Sequence, residues 1–136
     1  MAVRYLLDTN IASHILRAKS PPVQRQLAKV AMSALYVSAV TEGELRYGLA
    51  RAPGATMLRK LVEEFLLRVT VLPWDSQAAA EYGDLRAALE RAGTPIGGLD
   101  MMIAAHALAT GSVLVSNDGV FKRIKGLKVE DWTVRP

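Results

Sequence analysis

The 136-residue chain has no cysteine. That excludes a disulfide framework and thiolate metal sites, and a reducing cytoplasm is the simpler expectation. Aromatic residues make up only 6% of the chain, too few for a surface built mainly of stacking platforms. No run of about 18 uncharged apolar residues occurs, so no membrane span is expected. Arg4 and Asp8 interrupt the first apolar run, which argues against a secretory signal. The signatures GxGxxG, GxxxxGK[ST], HExxH and CxxC are all missing. Gly97-Gly98 reads as a loop hinge, not a phosphate cradle.

What is present is enough for one packed core. Hydrophobic residues are 51% of the chain, and the length suits a single domain spanning residues 1–136. Seventeen Lys and Arg against 13 Asp and Glu leave a net charge of +4. That modest basic balance is compatible with a polyanionic partner such as RNA, and equally with ordinary solvated charge.

The apolar pattern alternates between two periods. Short buried-strand patterns cover Val3–Leu7, Leu35–Val40, Val69–Leu72 and Ser112–Ser116, with a last edge strand within Leu127–Val134. Helical patterns fill the intervals: Ile11–Ala18, Val23–Val30, Glu42–Ala50, Thr56–Arg68, Ser76–Ala92 and Met101–Ala109. Thr41 is placed to cap the third helix with Glu44 as its capping-box partner, and Asp100 to open the sixth. Strands alternating with helices predict an α/β fold, a parallel sheet of four to five strands with helices on both faces.

In such sheets, ligands bind outside the carboxyl ends of the strands. Asp8 follows the first strand, Glu44 lies on the first turn after the second, Asp118 follows the fourth, and Asp100 begins the helix before it. Four carboxylates from distant segments thus converge on one rim. Gathered acids raise one another's pKa unless a cation offsets the charge. Oxygen donors without Cys or clustered His favour Mg²⁺ or Mn²⁺, and such a site suits metal-assisted phosphodiester hydrolysis. Each acid also has a purely local role open to it: Asp8 and Asp100 as helix caps, Glu44 as the partner of Thr41, Asp118 as part of an Asn-Asp-Gly turn. Glu42 competes with Glu44, and the two are about 200° apart on a helix, so they cannot both face one ion. His14 and His106 are turned well away from Asp8 and Asp100 by the same period and read as structural or surface residues.

Four blocks, LLDTN at 6–10, ELRYG at 44–48, GTPIGGLDMMIAAHA at 93–107 and SNDGVFKRIKGLKVEDW at 116–132, together resemble the PIN-domain ribonucleases. The closer resemblance is to the VapC toxins of type II toxin–antitoxin modules. The resemblance implies a PIN-like fold and Mg²⁺- or Mn²⁺-dependent cleavage of RNA. It implies Asp8, Glu44, Asp100 and Asp118 as the acidic cluster, with Thr9 or Asn10, and Ser116, as polar supports. It selects Glu44 over Glu42, admits initiator tRNA as a substrate, and implies a VapB antitoxin and a homodimer. Asp118 is the least secure ligand, because some relatives carry Asn there. Arg46, Arg86, Lys122, Arg123 and Lys125 are candidate RNA-phosphate contacts. Two other readings are weighed against this one. One is a phosphatase or phosphotransferase with Asp8 as nucleophile, against which stands Asn10 where a second Asp is expected. The other is a non-catalytic RNA- or partner-binding module, against which stands the presence of all four acids.

Overall fold

The computed structural model describes residues 2–134; Met1, Arg135 and Pro136, at the ends of the expected domain, lie outside the described residues. Five strands form one sheet: β1 (Tyr5–Leu7), β2 (Leu35–Ser38), β3 (Thr70–Leu72), β4 (Val113–Val115) and β5 (Val129–Glu130). Their order is β3-β2-β1-β4-β5, and every pairing is parallel. The chain moves outward from β1 through β2 to β3, then returns to the other side of β1 for β4 and β5. The reversal of strand order falls between β1 and β4, where an open parallel sheet leaves a crevice at the carboxyl ends.

Six helices cover the two faces: α1 (Thr9–Leu16), α2 (Pro21–Leu27), α3 (Ala39–Arg51), α4 (Thr56–Arg68), α5 (Ser76–Arg91) and α6 (Gly98–Thr110). Successive strand residues point to opposite faces. Leu7 therefore joins a core with Ile11, Val23, Val37, Val62 and Phe65 beneath α1 to α4. Leu6 joins the other core with Leu85, Ile103, Leu114 and Phe121 beneath α5 and α6. Both β1 leucines are fully buried, which explains the unbroken apolar run. Tyr5 meets Trp132 with ring centroids 5.3 Å apart, tying the end of the chain to the central strand.

Several element ends differ from the sequence expectations. The second strand stops at Ser38, not Val40. The Ser38 hydroxyl accepts from the Val40 N–H and caps α3, so β-branched Val40 is drawn into the helix. Thr41 is then no cap; it is buried within the first turn of α3. Asp100 does not open α6 either. The helix starts at Gly98 behind Gly97, and Asp100 lies in its first turn. Each shift frees a carboxylate, Glu44 or Asp100, from the local capping role open to it. The first helix begins at Thr9, two residues early, because Asp8 caps it directly. Ser20 caps α2 with both prolines in the first turn, where a missing N–H costs nothing. A short 3₁₀ turn at Met32–Ala34 was not anticipated. The last strand shrinks to two residues because β5 pairs only with β4, at the edge.

Candidate active site

The candidate site forms where β1, β2 and β4 end. Asp8 ends β1 and is only 6% exposed. Its backbone N–H donates to the Val115 carbonyl at 3.0 Å, continuing the sheet, while its Oδ1 accepts from the Ile11 N–H at 2.8 Å. The Ser116 hydroxyl, just past β4, lies near enough to the same carboxylate to favour its charged form. Asp8 is thus both the cap of α1 and a buried anion; the local and the functional roles coexist. Burial pushes its carboxyl above the usual range, and the charges of Asp100 and Asp118 add to the rise. The nearby Ser116 hydroxyl and the Ile11 N–H oppose it.

Asp100 is half-buried in the first turn of α6. Its carboxyl is also pushed up, first by burial, then by the charges of Asp118 and Glu44. Asp100 thus lies within electrostatic reach of Asp8, Asp118 and Glu44. Glu44, half-buried on α3, accepts a hydrogen bond from Thr9 Oγ1 at 2.7 Å on Oε1. Thr9 Oγ1 also lies 3.2 Å from the buried Thr41 Oγ1. A hydroxyl has one proton, so Thr9 shares its proton between Glu44, at the shorter distance, and the Thr41 hydroxyl. Glu42, by contrast, pairs with Arg46 at 3.2 Å, away from the crevice.

Asp118 is exposed. Its N–H donates to Ser116 Oγ at 3.0 Å, and its Oδ1 accepts from the Val120 N–H at 2.9 Å. That bond caps the 3₁₀ turn Gly119–Arg123. Ser116, 2% exposed, accepts from the backbone of Asp118 and sits beside the Asp8 carboxylate, whose charge it favours. Asn10 does not touch the acids. Its Nδ2 donates to Asn117 Oδ1 at 2.8 Å and closes the rim between α1 and the turn after β4.

The candidate phosphate contacts separate. Arg46 and Arg86 already hold carboxylates, Glu42 and Glu90. Arg123 donates to the Pro95 carbonyl at 3.1 Å, and with Lys125 it edges a hollow beside Ala88 and Ala92 on α5. Lys122 shares a shallow depression with Ser116, Asn117 and Asp118, next to the acids. Sequence reasoning gave His106 no specific role. It is in fact 1% exposed, with Nδ1 2.8 Å from Ser38 Oγ. That bond joins α6 to the cap of α3, the two helices that carry Asp100 and Glu44. The signal for it lies only in three-dimensional packing, since Ser38 and His106 are far apart in sequence.

Among the described residues, no three His, Cys, Asp or Glu groups are drawn close enough to enclose a bare ion. The donors present are oxygens that raise one another's pKa. Such a set fits a hard cation that keeps much of its own water.

A PIN domain model matches residues 5–127. The chain is 38% identical over 131 residues to the tRNA(fMet)-specific endonuclease VapC of Salmonella typhimurium, covering 96% of this chain and 98% of that one. It is 36% identical to the Shigella flexneri protein of the same name, covering 96% and 99%. The toxin chain fold is equally close: DNA-bound VapBC from Salmonella typhimurium superposes with a TM-score of 0.89 at 36% identity, over 96% of this chain and 99% of that one. With an acid-rimmed crevice at the switch point of a PIN-like sheet and near-full-length likeness to these proteins, the chain belongs to the PIN-domain family and, within it, to the VapC ribonucleases.

Proposed function

We propose that this chain is the toxin of a VapBC-type pair, a divalent-metal-dependent endoribonuclease acting through Asp8, Glu44, Asp100 and Asp118. The observation that carries the reading is electrostatic. Asp8 and Asp100 are both pushed toward protonation by burial and by neighbouring acids, a cost that a cation removes. Ribonucleases of the PIN family are in general divalent-metal dependent. Here Asp8 and Asp100 would hold Mg²⁺ or Mn²⁺, with Glu44 and Asp118 orienting its waters. The ion, when bound, supplies an acidified water as nucleophile and charge stabilisation for the leaving oxygen.

The chain's own groups prepare that site. The Ile11 N–H fixes the Asp8 carboxylate, and the nearby Ser116 hydroxyl favours its charged form. Thr9 engages Oε1 of Glu44, leaving Oε2 to accept from water. Lys122 stands beside Asp118, suited to a substrate phosphate. The substrate in this reading is RNA, with initiator tRNA the leading choice because two relatives carry that specificity in their names. The partner is a VapB-type antitoxin, as the VapBC complexes of similar fold suggest. Its apolar contacts fit the cleft between α2 and α4, lined by Ile15, Leu27, Leu61 and Phe65. We include a homodimer and a cytoplasmic location in the proposal. No helix among the described residues is long and apolar enough to cross a membrane.

The phosphotransferase alternative is not favoured. Asn10 is engaged by Asn117, and the relatives are ribonucleases. The test is incubation with total RNA, with Mg²⁺ or Mn²⁺ and with EDTA, comparing Asp8→Asn. Cleavage that survives EDTA, or an Asp8→Asn protein cutting at the parent rate, would overturn the proposal.

A further inference from the structure

The outward face of α3 carries an aromatic ring that the fold does not use. Tyr47 is 63% exposed. It follows Glu44 by three residues, a displacement of about 60° around the helix axis, with Cβ atoms about 5–6 Å apart. The buried side of the helix is marked by Thr41 and Leu49. Both lie on the other flank of Glu44, so the carboxylate sits at the boundary between core and solvent and Tyr47 just outside it.

The ring is not loose. The Arg51 guanidinium carbon lies 5.4 Å from its centroid, a cation–π distance. Arg51 is exposed, and it takes part in none of the three ion pairs among the described residues. Seven residues beyond Glu44, it returns to within about 20° of the same direction. On the other side, one turn earlier, Gly43 has nothing within 4 Å of where a Cβ would stand. The glycine costs the helix about 1 kcal/mol relative to alanine and leaves the approach to the ring open. An exposed ring, a guanidinium over it and clear space beside it, all next to a carboxylate of the crevice, have the chemistry that single-stranded nucleic acid binds. Bases stack on the aromatic face and phosphate meets the cation.

We propose that Tyr47 and Arg51 form a one-base stacking platform, gripping an unpaired nucleotide of the RNA beside the acid crevice that Glu44 borders. This rests on the ribonuclease reading above. The partner is an RNA strand with a free base, because the unpaired cation matches phosphate and the face continues directly into the acid crevice. A second copy of the chain is the competing occupant.

Binding is measured in the Asp8→Asn protein with Mn²⁺, by fluorescence anisotropy of a labelled single-stranded oligoribonucleotide. Adding Tyr47→Ala weakens binding roughly five- to hundredfold, the range for one stacked base. Tyr47→Phe and Tyr47→Trp retain it. An abasic scan of the oligonucleotide finds one position at which the loss from Tyr47→Ala disappears. Arg51→Ala lowers the steepness of the salt dependence by about one phosphate contact. Unchanged affinity in Tyr47→Ala, or a loss that no abasic position cancels, overturns the platform. So does a shift of Tyr47→Ala from dimer to monomer in sedimentation with RNA affinity intact, which assigns the face to a second copy. Cleavage by Asp8→Asn itself would instead fault the underlying nuclease reading.

Discussion

The Thr9 hydroxyl donates to Glu44 Oε1 at 2.7 Å and so joins the first turn of α1 to α3 across the mouth of the crevice. Thr9 also lies within hydrogen-bond distance of the buried Thr41 hydroxyl, so a single side chain serves the Glu44 carboxylate and a core polar group. Thr9→Val keeps the shape and removes both bonds. It is expected to cost about 1–3 kcal/mol, the cost of an unsatisfied buried hydroxyl, and to weaken Mn²⁺ binding. Thermal unfolding and calorimetric metal titration check the two effects separately. Thr9→Ser restores both.

Asp8 has two roles that substitution separates. Asp8→Asn keeps a side-chain oxygen for the Ile11 N–H, so the helix cap survives, while the charge is lost. RNA cleavage is expected to fall by at least about a hundredfold, with the far-ultraviolet circular dichroism spectrum unchanged. Asp8→Ala loses the cap too, at about 1 kcal/mol. Equal melting temperatures for the two variants would contradict the cap assignment.

Stability without metal should depend on pH in a definite sense. The folded carboxyls of Asp8 and Asp100 lie above their unfolded values, so the folded chain holds protons more tightly. The pair therefore costs stability as pH rises from the unfolded carboxylate value of 3.8 through the raised folded values. Relative to wild type, Asp8→Asn should gain melting temperature as pH rises through that window and hold the gain at neutral pH. Saturating Mg²⁺ or Mn²⁺ should raise the wild-type value by mass action and Asp8→Asn much less.

His106 contributes a term of opposite sign. Its folded pKa is lowered, chiefly by burial, so the fold holds the neutral ring. Its contribution is present above the unfolded value of 6.5 and is lost as pH falls below it toward the folded pKa. His106→Phe fills the space but leaves the Ser38 hydroxyl without its partner. That variant should lose about 1–3 kcal/mol and lose the mildly acidic part of the stability profile, as measured by urea unfolding at several pH values.

Much of this was legible from residue order. Parallel strands could be read because Leu6 and Leu7 both demand burial, so the strand must have cover on both faces. The strand-end edge that carries Asp8, Glu44, Asp100 and Asp118 could be read because each sits just past a strand or at the start of a neighbouring helix. The caps could not. Thr41 and Asp100 both match cap chemistry, yet Ser38 and Gly97 hold those positions, because local patterns do not say which of two nearby residues is buried. The Thr9–Glu44 and Ser38–His106 bonds were hidden for another reason: each joins segments more than 30 positions apart, and no periodicity encodes such a meeting. Tyr47 entered only as part of the ELRYG block, because no sequence pattern shows that a helical aromatic stands exposed.

The order in which the strands assemble carries a last consequence. β4, which leads into Ser116 and Asp118 and pairs with β1, is synthesised only after β2 and β3 on the other side of β1. A ribosome-bound chain that has emerged only as far as β3 therefore holds Asp8 and Glu44 but lacks half the crevice. The hazard this enzyme poses to the cell that makes it begins with the completion of its fold, which gives a neutralising partner the interval of synthesis in which to arrive.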